Sequence, residues 1–137
     1  MKLALDANVL VAGLAFRGSA SLLLQATFSR THEFFVSEEA REEVLEVLRE
    51  KFPRLRREAE EALSLLGITL VPKGKYASRL HDFSTLRDPR DAHVLAAAVE
   101  SECSLLVTWD KDLLSLGAVG RMRIVTPARA MRFLEPD

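Results

Sequence analysis

The chain has a single cysteine, Cys103, among 137 residues. One thiol excludes a disulfide within the chain. A low cysteine content is typical of proteins in a reducing compartment, and we therefore expect a cytoplasmic location. No stretch approaches the roughly 18 consecutive apolar residues of a membrane-spanning helix, and no membrane partner is expected. Asp6 and Asn8 also interrupt the apolar stretch that an N-terminal signal peptide would need.

Internal repeats, low-complexity segments and a strong net charge are missing as well. The formal net charge is −1, which excludes binding of polyanions through the overall charge of the chain. Hydrophobic residues make up 48% and charged residues 28%, values typical of a globular protein, and the length predicts one domain spanning residues 1–137. Arginine outnumbers lysine by 14 to 5, which suits contacts with phosphate or carboxylate but is equally compatible with genome composition or a thermophilic source.

Short apolar runs alternate with amphipathic segments along the chain. The runs predict strands, and the segments between them predict helices, except at residues 72–86, where no regular pattern is visible. The predicted strands are residues 3–5, 34–36, 68–71, 105–107 and 123–125. Strands that are mostly apolar and alternate with helices are typical of a parallel sheet covered on both faces. The fold class is therefore α/β, with a central parallel sheet of about five short strands in a three-layer α/β/α arrangement.

Acidic residues stand at the ends of these apolar elements. Asp6 directly follows the first strand, and Asp110 lies just past the fourth. Asp88 and Asp91 begin the helix that precedes the fourth strand, and Glu43 lies in the second turn of the helix that starts at Ser37. Because the ligands of such sheets sit beyond the carboxyl ends of the strands, we expect these carboxylates to converge there.

Several carboxylates in one pocket cannot all ionise unless a cation compensates their charge. Oxygen ligands without a cluster of Cys or His favour Mg²⁺ or Mn²⁺ over Zn²⁺, and such ions serve displacement reactions at phosphorus. Each acid also has a structural interpretation. Asp6 could be a turn residue or a phosphoacceptor, and Glu43 could belong to a solvated helix face. Asp88 and Asp91 are also typical of a helix start, and Asp110 and Asp112 of a turn and a helix cap.

Four blocks of the sequence resemble the successive blocks of a PIN domain: "LALDANVLVAG", "SEEAREEVLEVL", "LRDPRDAHVLAAAVESECSLLVTWDKDLLSL" and "RIVTPARAMRFL". The similarity extends from residue 2 to residue 134 and is greatest to the VapC-related toxins of toxin–antitoxin systems. The resemblance implies a small α/β endoribonuclease that depends on Mg²⁺ or Mn²⁺ and leaves a 5′-phosphate and a 3′-hydroxyl. It also implies a cognate antitoxin partner.

The resemblance assigns roles to residues by position. The catalytic and metal-holding acids it implies are Asp6, Glu43, Asp91 and Asp110. The supporting residues it implies are Asn8, Asp88, Thr108 and Asp112. Candidate contacts to the RNA backbone are Arg17, Arg79, Arg87 and Arg90, near the loops around the expected site. The denser cluster of Arg54, Arg56 and Arg57 suits a solvated helix face or an antitoxin contact equally well.

Two residues depart from the family pattern. Trp109 stands where the family usually has a small residue, and we expect it to pack at the rim of the pocket, with stacking on an RNA base as the alternative. His93 replaces a polar or charged residue and is expected on the helix face rather than as a metal ligand. Neither departure removes an acid.

The main competing function is a PIN-fold module that binds RNA or protein without turnover. A receiver-like or phosphatase-like use of Asp6 fits poorly, because Asn8 stands where a phosphatase needs a second aspartate and no acid follows the third strand. Apolar residues in the segments 22–28 and 44–52 are candidate docking faces for an antitoxin. A homodimer is possible, although the sequence offers no recognisable seam.

Overall fold

The computed structural model describes residues 1–135, so the last two residues of the predicted domain lie outside the described residues. The strands are β1 (Lys2–Leu5), β2 (Glu33–Ser37), β3 (Ile68–Val71), β4 (Leu105–Val107), β5 (Ala118–Val119) and β6 (Met122–Val125). The helices are α1 (Ala7–Ala15), α2 (Ser19–Gln25), α3 (Glu38–Lys51), α4 (Arg56–Leu65), α5 (Lys73–Tyr76), α6 (Ala92–Glu100), α7 (Lys111–Leu116) and α8 (Pro127–Leu134). Short 3₁₀ segments cover Ala26–Phe28, Ala77–Phe83 and Pro89–Asp91.

The strands form one sheet in the order β3-β2-β1-β4-β6-β5, in which every pair is parallel except β5 with β6. The chain therefore moves outward from β1 to β3 and then returns to place β4 on the other side of β1. This reversal of strand order opens a crevice beyond the carboxyl ends of β1 and β4. The elements that follow these two strands lie on either side of that crevice.

Helices cover both faces of the sheet, because strand side chains alternate between them. Leu3 and Leu5 of β1 belong to a core shared with the helices on one face, α1 to α4 and α8. Ala4 points to the opposite face and packs with residues of α6 and α7. The α/β fold class with its central, mostly parallel sheet and flanking helices is confirmed.

Three details differ from the expectation. The sheet gains a sixth strand, the two-residue β5, which pairs antiparallel with β6 and is too short to leave an apolar pattern. Asp6, which the structural interpretation placed in a turn, instead caps the first helix, which begins at Ala7. Residues 72–86 contain α5 and a 3₁₀ segment, and Tyr76 within them is fully buried.

Among the described residues 1–135, no single helix is long and apolar enough to cross a membrane. Helix α1 and residues 19–28 are long and apolar enough only when taken together, and the two segments are bent by 94° relative to each other.

Gly67 shows how tightly the connection into β3 packs on the rest of the chain. It follows the end of α4, but its φ is not positive, so a left-handed cap is not the reason for a glycine here. A Cβ atom at this position would lie 2.1 Å from the backbone oxygen of Thr27. Glycine is therefore required by the close approach of two backbone segments.

We predict that Gly67→Ala lowers the free energy of unfolding by about 1–3 kcal/mol, because the backbone of residue 27 must shift to admit a methyl group. The control is Gly74→Ala in α5, where a Cβ atom would meet nothing within 4 Å and where alanine is the better helix former. Urea unfolding of both variants measures the difference. Equal stability of the two variants would contradict the packing argument.

Candidate active site

The crevice at the carboxyl ends of β1 and β4 contains a cavity of about 560 Å³ that is lined mainly by acids. We call it the acidic cavity. The acids that line it are Asp6, Glu39, Glu42, Glu43, Glu46, Asp88, Asp91 and Asp110. The structure thus brings together Asp6, Glu43, Asp91 and Asp110, which lie far apart in the sequence. Asn8, Arg90 and His93 line the same cavity.

Asp6 lies deepest, only 7% exposed, at the junction of β1 and α1. Its backbone N–H donates to the carbonyl of Val107 (3.0 Å), which continues the pairing of β1 with β4 for one more residue. Its side chain accepts from the N–H of Ala7 through Oδ1 (2.8 Å) and from the hydroxyl of Thr108 through Oδ2 (2.7 Å). Each carboxylate oxygen therefore has one protein donor and retains a lone pair for another partner.

Thr108 fixes the geometry of this side of the cavity. It is fully buried, and its N–H donates to the carbonyl of Val125 (2.9 Å), which extends β4 alongside β6. Its hydroxyl accepts from the N–H of Asp110 (2.9 Å) and from the side-chain amide of Asn8 (3.3 Å). Since both of these partners are donors, the hydroxyl proton is left for Asp6, and all hydrogen-bonding capacity of the hydroxyl is used.

Asn8 and Asp110 are held by the same network. The Oδ1 of Asn8 accepts from the N–H of Trp109 (3.3 Å), which orients the amide toward Thr108. Asp110 caps α7, since its Oδ1 accepts from the N–H of Leu113 (2.9 Å), and its second carboxylate oxygen stays available to the cavity. The indole of Trp109 is 41% exposed and does not line the acidic cavity, so its expected packing at the rim stays a prediction.

Asp88 and Asp91 flank a short 3₁₀ turn on the opposite wall. Asp88 caps the turn through the N–H of Arg90 (3.0 Å) and pairs with the Arg90 guanidinium through both carboxylate oxygens (3.1 Å each). This pairing holds the pKa of Asp88 below its usual range. Asp91 precedes α6, and its side chain does not cap the helix. It faces the cavity in a half-buried position.

The electrostatics of the cavity disfavour its own negative charges. Burial raises the pKa of Asp6, although the hydrogen bond from Thr108 opposes the shift. Burial, followed by the charges of Asp110 and Asp88, raises the pKa of Asp91 to about 6. The pKa of Glu43 is raised by partial desolvation at the cavity wall and by the charge of Asp6. The site therefore favours a proton or a cation as a further partner.

The donor set fits a hydrated divalent cation. Within residues 1–135, no three His, Cys, Asp or Glu side chains lie close enough together to enclose a metal ion directly. Mg²⁺ does not require such a cage, because it usually keeps several waters and binds through one or two carboxylates. The cavity offers carboxylate oxygens, raised pKa values and ample room for waters. Asp6, Glu43 and Asp91 could hold such an ion directly or through water, and Asp110 could complete the site.

The other residues singled out from the sequence lie at or beyond the rim. Asp112 in the first turn of α7 pairs with Arg87 at 3.7 Å and does not line the cavity. Arg17 lies in the connection between α1 and α2, outside the lining. Arg79 pairs with Glu100 at the far end of α6, so the structure does not bring it to the cavity. Of the four candidate arginines, Arg90 alone lines the cavity within residues 1–135.

Sequence reasoning missed the position of His93. Its ring lines the acidic cavity, and its Nδ1 lies 3.0 Å from the hydroxyl of Ser37, the residue that caps α3. The side chain does lie on a helix face, as expected, but that face forms part of the cavity wall. The signal in the sequence is the short spacing between Asp91 and His93. Both residues lie at the start of the same helix, so both can face the cavity.

An apolar cavity of about 340 Å³ adjoins the acidic cavity, and the two share Asn8 and Glu43. It lies between α1 and α3, and its lining includes Val47 and Phe52 of the segment predicted as a docking face. Phe16, which is 59% exposed, meets Phe52 edge to face with ring centroids 5.6 Å apart. The second predicted face, residues 22–28, exposes Leu22 and Phe28.

Comparisons with known proteins agree with this architecture. A toxin–antitoxin complex from Klebsiella pneumoniae contains a chain that is 21% identical and superposes with a TM-score of 0.68, covering 91% of this chain and 97% of that one. VapBC2 from Rickettsia felis, bound to a DNA fragment from its promoter, contains a chain that is 14% identical with a TM-score of 0.61, covering 90% and 97%. At these identities the likeness concerns the fold.

No curated protein matches the sequence significantly. The sequence profile described as the PIN domain, in contrast, matches residues 2–112, a range that includes the four acids of the cavity, Thr108 and the whole path from β1 to the start of α7. This match covers well over half of the chain, and the chain therefore belongs to the PIN domain family.

Proposed function

We propose that the protein is a Mg²⁺- or Mn²⁺-dependent endoribonuclease and the toxin of a toxin–antitoxin pair. One observation carries the nuclease assignment: Asp6, Glu43, Asp91 and Asp110 line a single cavity at the point where the strand order reverses. Convergent carboxylates with raised pKa values favour a divalent cation, and such ions serve hydrolysis of phosphodiesters.

The cation supplies Lewis acidity when bound, which makes a water more acidic and compensates negative charge at the phosphorus. The side chains of the protein would position the reacting groups. Thr108 holds the Asp6 carboxylate in one orientation, and the free oxygen of Asp110 would orient a water for in-line attack. Asp91, whose pKa is raised to about 6 without a cation, would be deprotonated when it helps Asp6 to hold the cation. The proposed products carry a 5′-phosphate and a 3′-hydroxyl.

Support for an antitoxin partner comes from two sources. The solved structures with the same fold include a toxin–antitoxin complex and VapBC2. The apolar cavity between α1 and α3 adjoins the acidic cavity, so a segment seated there would also reach the acids. A homodimer and a cytoplasmic location stay predictions.

We predict that wild-type protein cuts single-stranded RNA in Mg²⁺ or Mn²⁺ but not in EDTA, and that Asp6→Asn lowers kcat by about a hundredfold or more. The reason is that Asp6 is the buried carboxylate of the site. Asp82→Asn, in the 3₁₀ segment before the turn and outside the acidic cavity, is the control and keeps full activity. Gel analysis of 5′-labelled RNA oligonucleotides gives the rates.

Cleavage that persists in Asp6→Asn would indicate a contaminating ribonuclease. A clean, folded wild-type protein that binds RNA without cutting any substrate would favour the binding module without turnover.

Thr108 provides a test of positioning. Thr108→Val keeps the shape of the side chain but removes the donor to Asp6 and leaves the Asp110 N–H and the Asn8 amide without their acceptor. We expect a loss of about 10–100-fold in activity or Mn²⁺ affinity and a lower melting temperature. Thr108→Ser retains the hydroxyl and is expected to keep most of the activity. Equal losses in both variants would show that the methyl group, not the hydroxyl, is required.

Repulsion at Asp91 predicts a pH dependence of stability without metal. The pKa is about 6 in the folded protein, above its usual 3.8, so the folded state binds more protons and loses stability as pH rises between these values. Asp91→Asn removes this penalty. In EDTA at about pH 7.5 it should melt a few degrees above wild type, and the difference should shrink toward about pH 4.5.

Added Mg²⁺ or Mn²⁺ should raise the melting temperature of wild type more than that of Asp91→Asn, because the variant lacks a metal-holding carboxylate. Differential scanning fluorimetry in EDTA and in each metal measures both effects. A variant that is less stable than wild type at every pH would contradict the repulsion argument.

A further inference from the structure

His93 has a defined hydrogen-bonding state that the proposed metal chemistry does not use. The hydroxyl of Ser37 accepts from the N–H of Ala40 (3.0 Å) in capping α3, and it lies 3.0 Å from the Nδ1 of His93. Within residues 1–135, no other acceptor contacts the proton of this hydroxyl. Because Ser37 is buried, its hydroxyl proton is best satisfied by Nδ1, an arrangement that leaves the hydrogen of a neutral imidazole on Nε2. A protonated imidazole would also carry a hydrogen on Nε2.

The Nε2 atom faces open space. It makes no hydrogen bond with any residue that the structure describes, and the only fully enclosed side-chain nitrogen or oxygen without a partner in residues 1–135 is His32 Nδ1. Nε2 of His93 is therefore accessible from the cavities that its ring lines. In this tautomer it offers an N–H donor in a wall that is otherwise rich in carboxylates.

A second cavity of about 360 Å³ lies against the acidic cavity, and the two share Glu39, Arg90 and His93. We call it the side recess. Its floor and walls include apolar surface from Leu80, Pro89 and Ala92, and Ser84 adds a hydroxyl at its edge. A polymer whose phosphate lies at Asp6 and Asp91 would place a neighbouring nucleotide within reach of this recess. Apolar surface with a few hydrogen-bonding groups suits a single nucleobase.

We propose that the side recess binds the nucleobase next to the scissile phosphate of an RNA strand, and that His93 recognises it by donating a hydrogen bond from Nε2. The proposal rests on the proposed ribonuclease function and adds a determinant of sequence preference to it. RNA is favoured over a protein segment because the recess opens directly onto the acids that would hold the phosphate. Single-stranded RNA presents unstacked bases to such recesses.

The first test compares His93→Gln with His93→Asn. The glutamine amide carries an N–H near the position of Nε2, whereas the shorter asparagine amide reaches only the position of Nδ1. Cleavage of a panel of RNA oligonucleotides that differ in the bases flanking the cut site gives kcat and KM in Mn²⁺. We expect His93→Asn to raise KM about tenfold and to flatten the preference among flanking bases, while His93→Gln stays within about threefold of wild type. The affinity for Mn²⁺, followed by its EPR signal, should be unchanged in both.

A second variant probes the recess without touching the Ser37 hydrogen bond. Ser84 is exposed at the edge of the recess, so Ser84→Trp should fold normally, fill the space and raise KM. Ser78→Trp, at an exposed position of the 3₁₀ segment that precedes Ser84 and outside the recess, is the control and should leave KM unchanged.

The outcomes separate the two proposals. Wild-type cleavage with KM and base preference unaltered in both His93→Asn and Ser84→Trp would overturn the nucleobase recess and leave the ribonuclease assignment standing. Equal losses in His93→Asn and His93→Gln would overturn the role of the Nε2 donor. A folded wild-type protein that cuts no RNA of the panel would reject the ribonuclease function, and the recess proposal with it.

Discussion

The hydrogen bond from Thr108 to Asp6 is the interaction on which the arrangement of the site depends. It joins the residues that follow β1 and β4, the two strands on either side of the reversal in strand order. Because the hydroxyl also accepts from Asn8 and Asp110, one oxygen atom fixes three polar groups of the cavity. A buried carboxylate is costly without partners, and this donor offsets part of that cost while leaving the carboxylate free to bind a cation.

The remaining cost is electrostatic repulsion, which Arg90 relieves only in part. Arg90 is the arginine at the cavity, and both oxygens of Asp88 engage it. Asp6, Glu43 and Asp91 consequently have raised pKa values, caused first by burial and then by neighbouring charge. A domain selected for stability alone would gain from replacing one of these acids. Their retention together in one cavity is the physical reason for assigning a cation-dependent function.

Much of the fold could be predicted from sequence because its signals are local. Apolar runs in the sequence predicted the five longer strands. The sequence analysis did not predict that Asp6 caps α1. The two-residue β5 left no such pattern, and the reason for Gly67 lies in the backbone of residue 27, forty positions away along the chain. For the site, the position of acids after strands predicted their convergence, since parallel strands end at one edge. No local signal showed that Arg79 would pair with Glu100 instead.

The difference between local signals and contacts distant in sequence also explains why residues that would recognise a substrate are harder to predict than the acids of the site. Asp6 and Asp110 closely follow strands, so the topology of a parallel sheet predicts where they meet. The contact between Ser37, which caps α3, and His93 in α6 is set by packing between elements and spans 56 positions of the chain. Arg90 pairs with Asp88, and Arg79 pairs with Glu100 away from the cavity. Within residues 1–135, few positively charged side chains near the cavity are therefore free to bind phosphate. In the proposed ribonuclease, affinity for RNA would then depend more on neutral donors and apolar surface, and these groups can distinguish one base from another whereas phosphate contacts cannot.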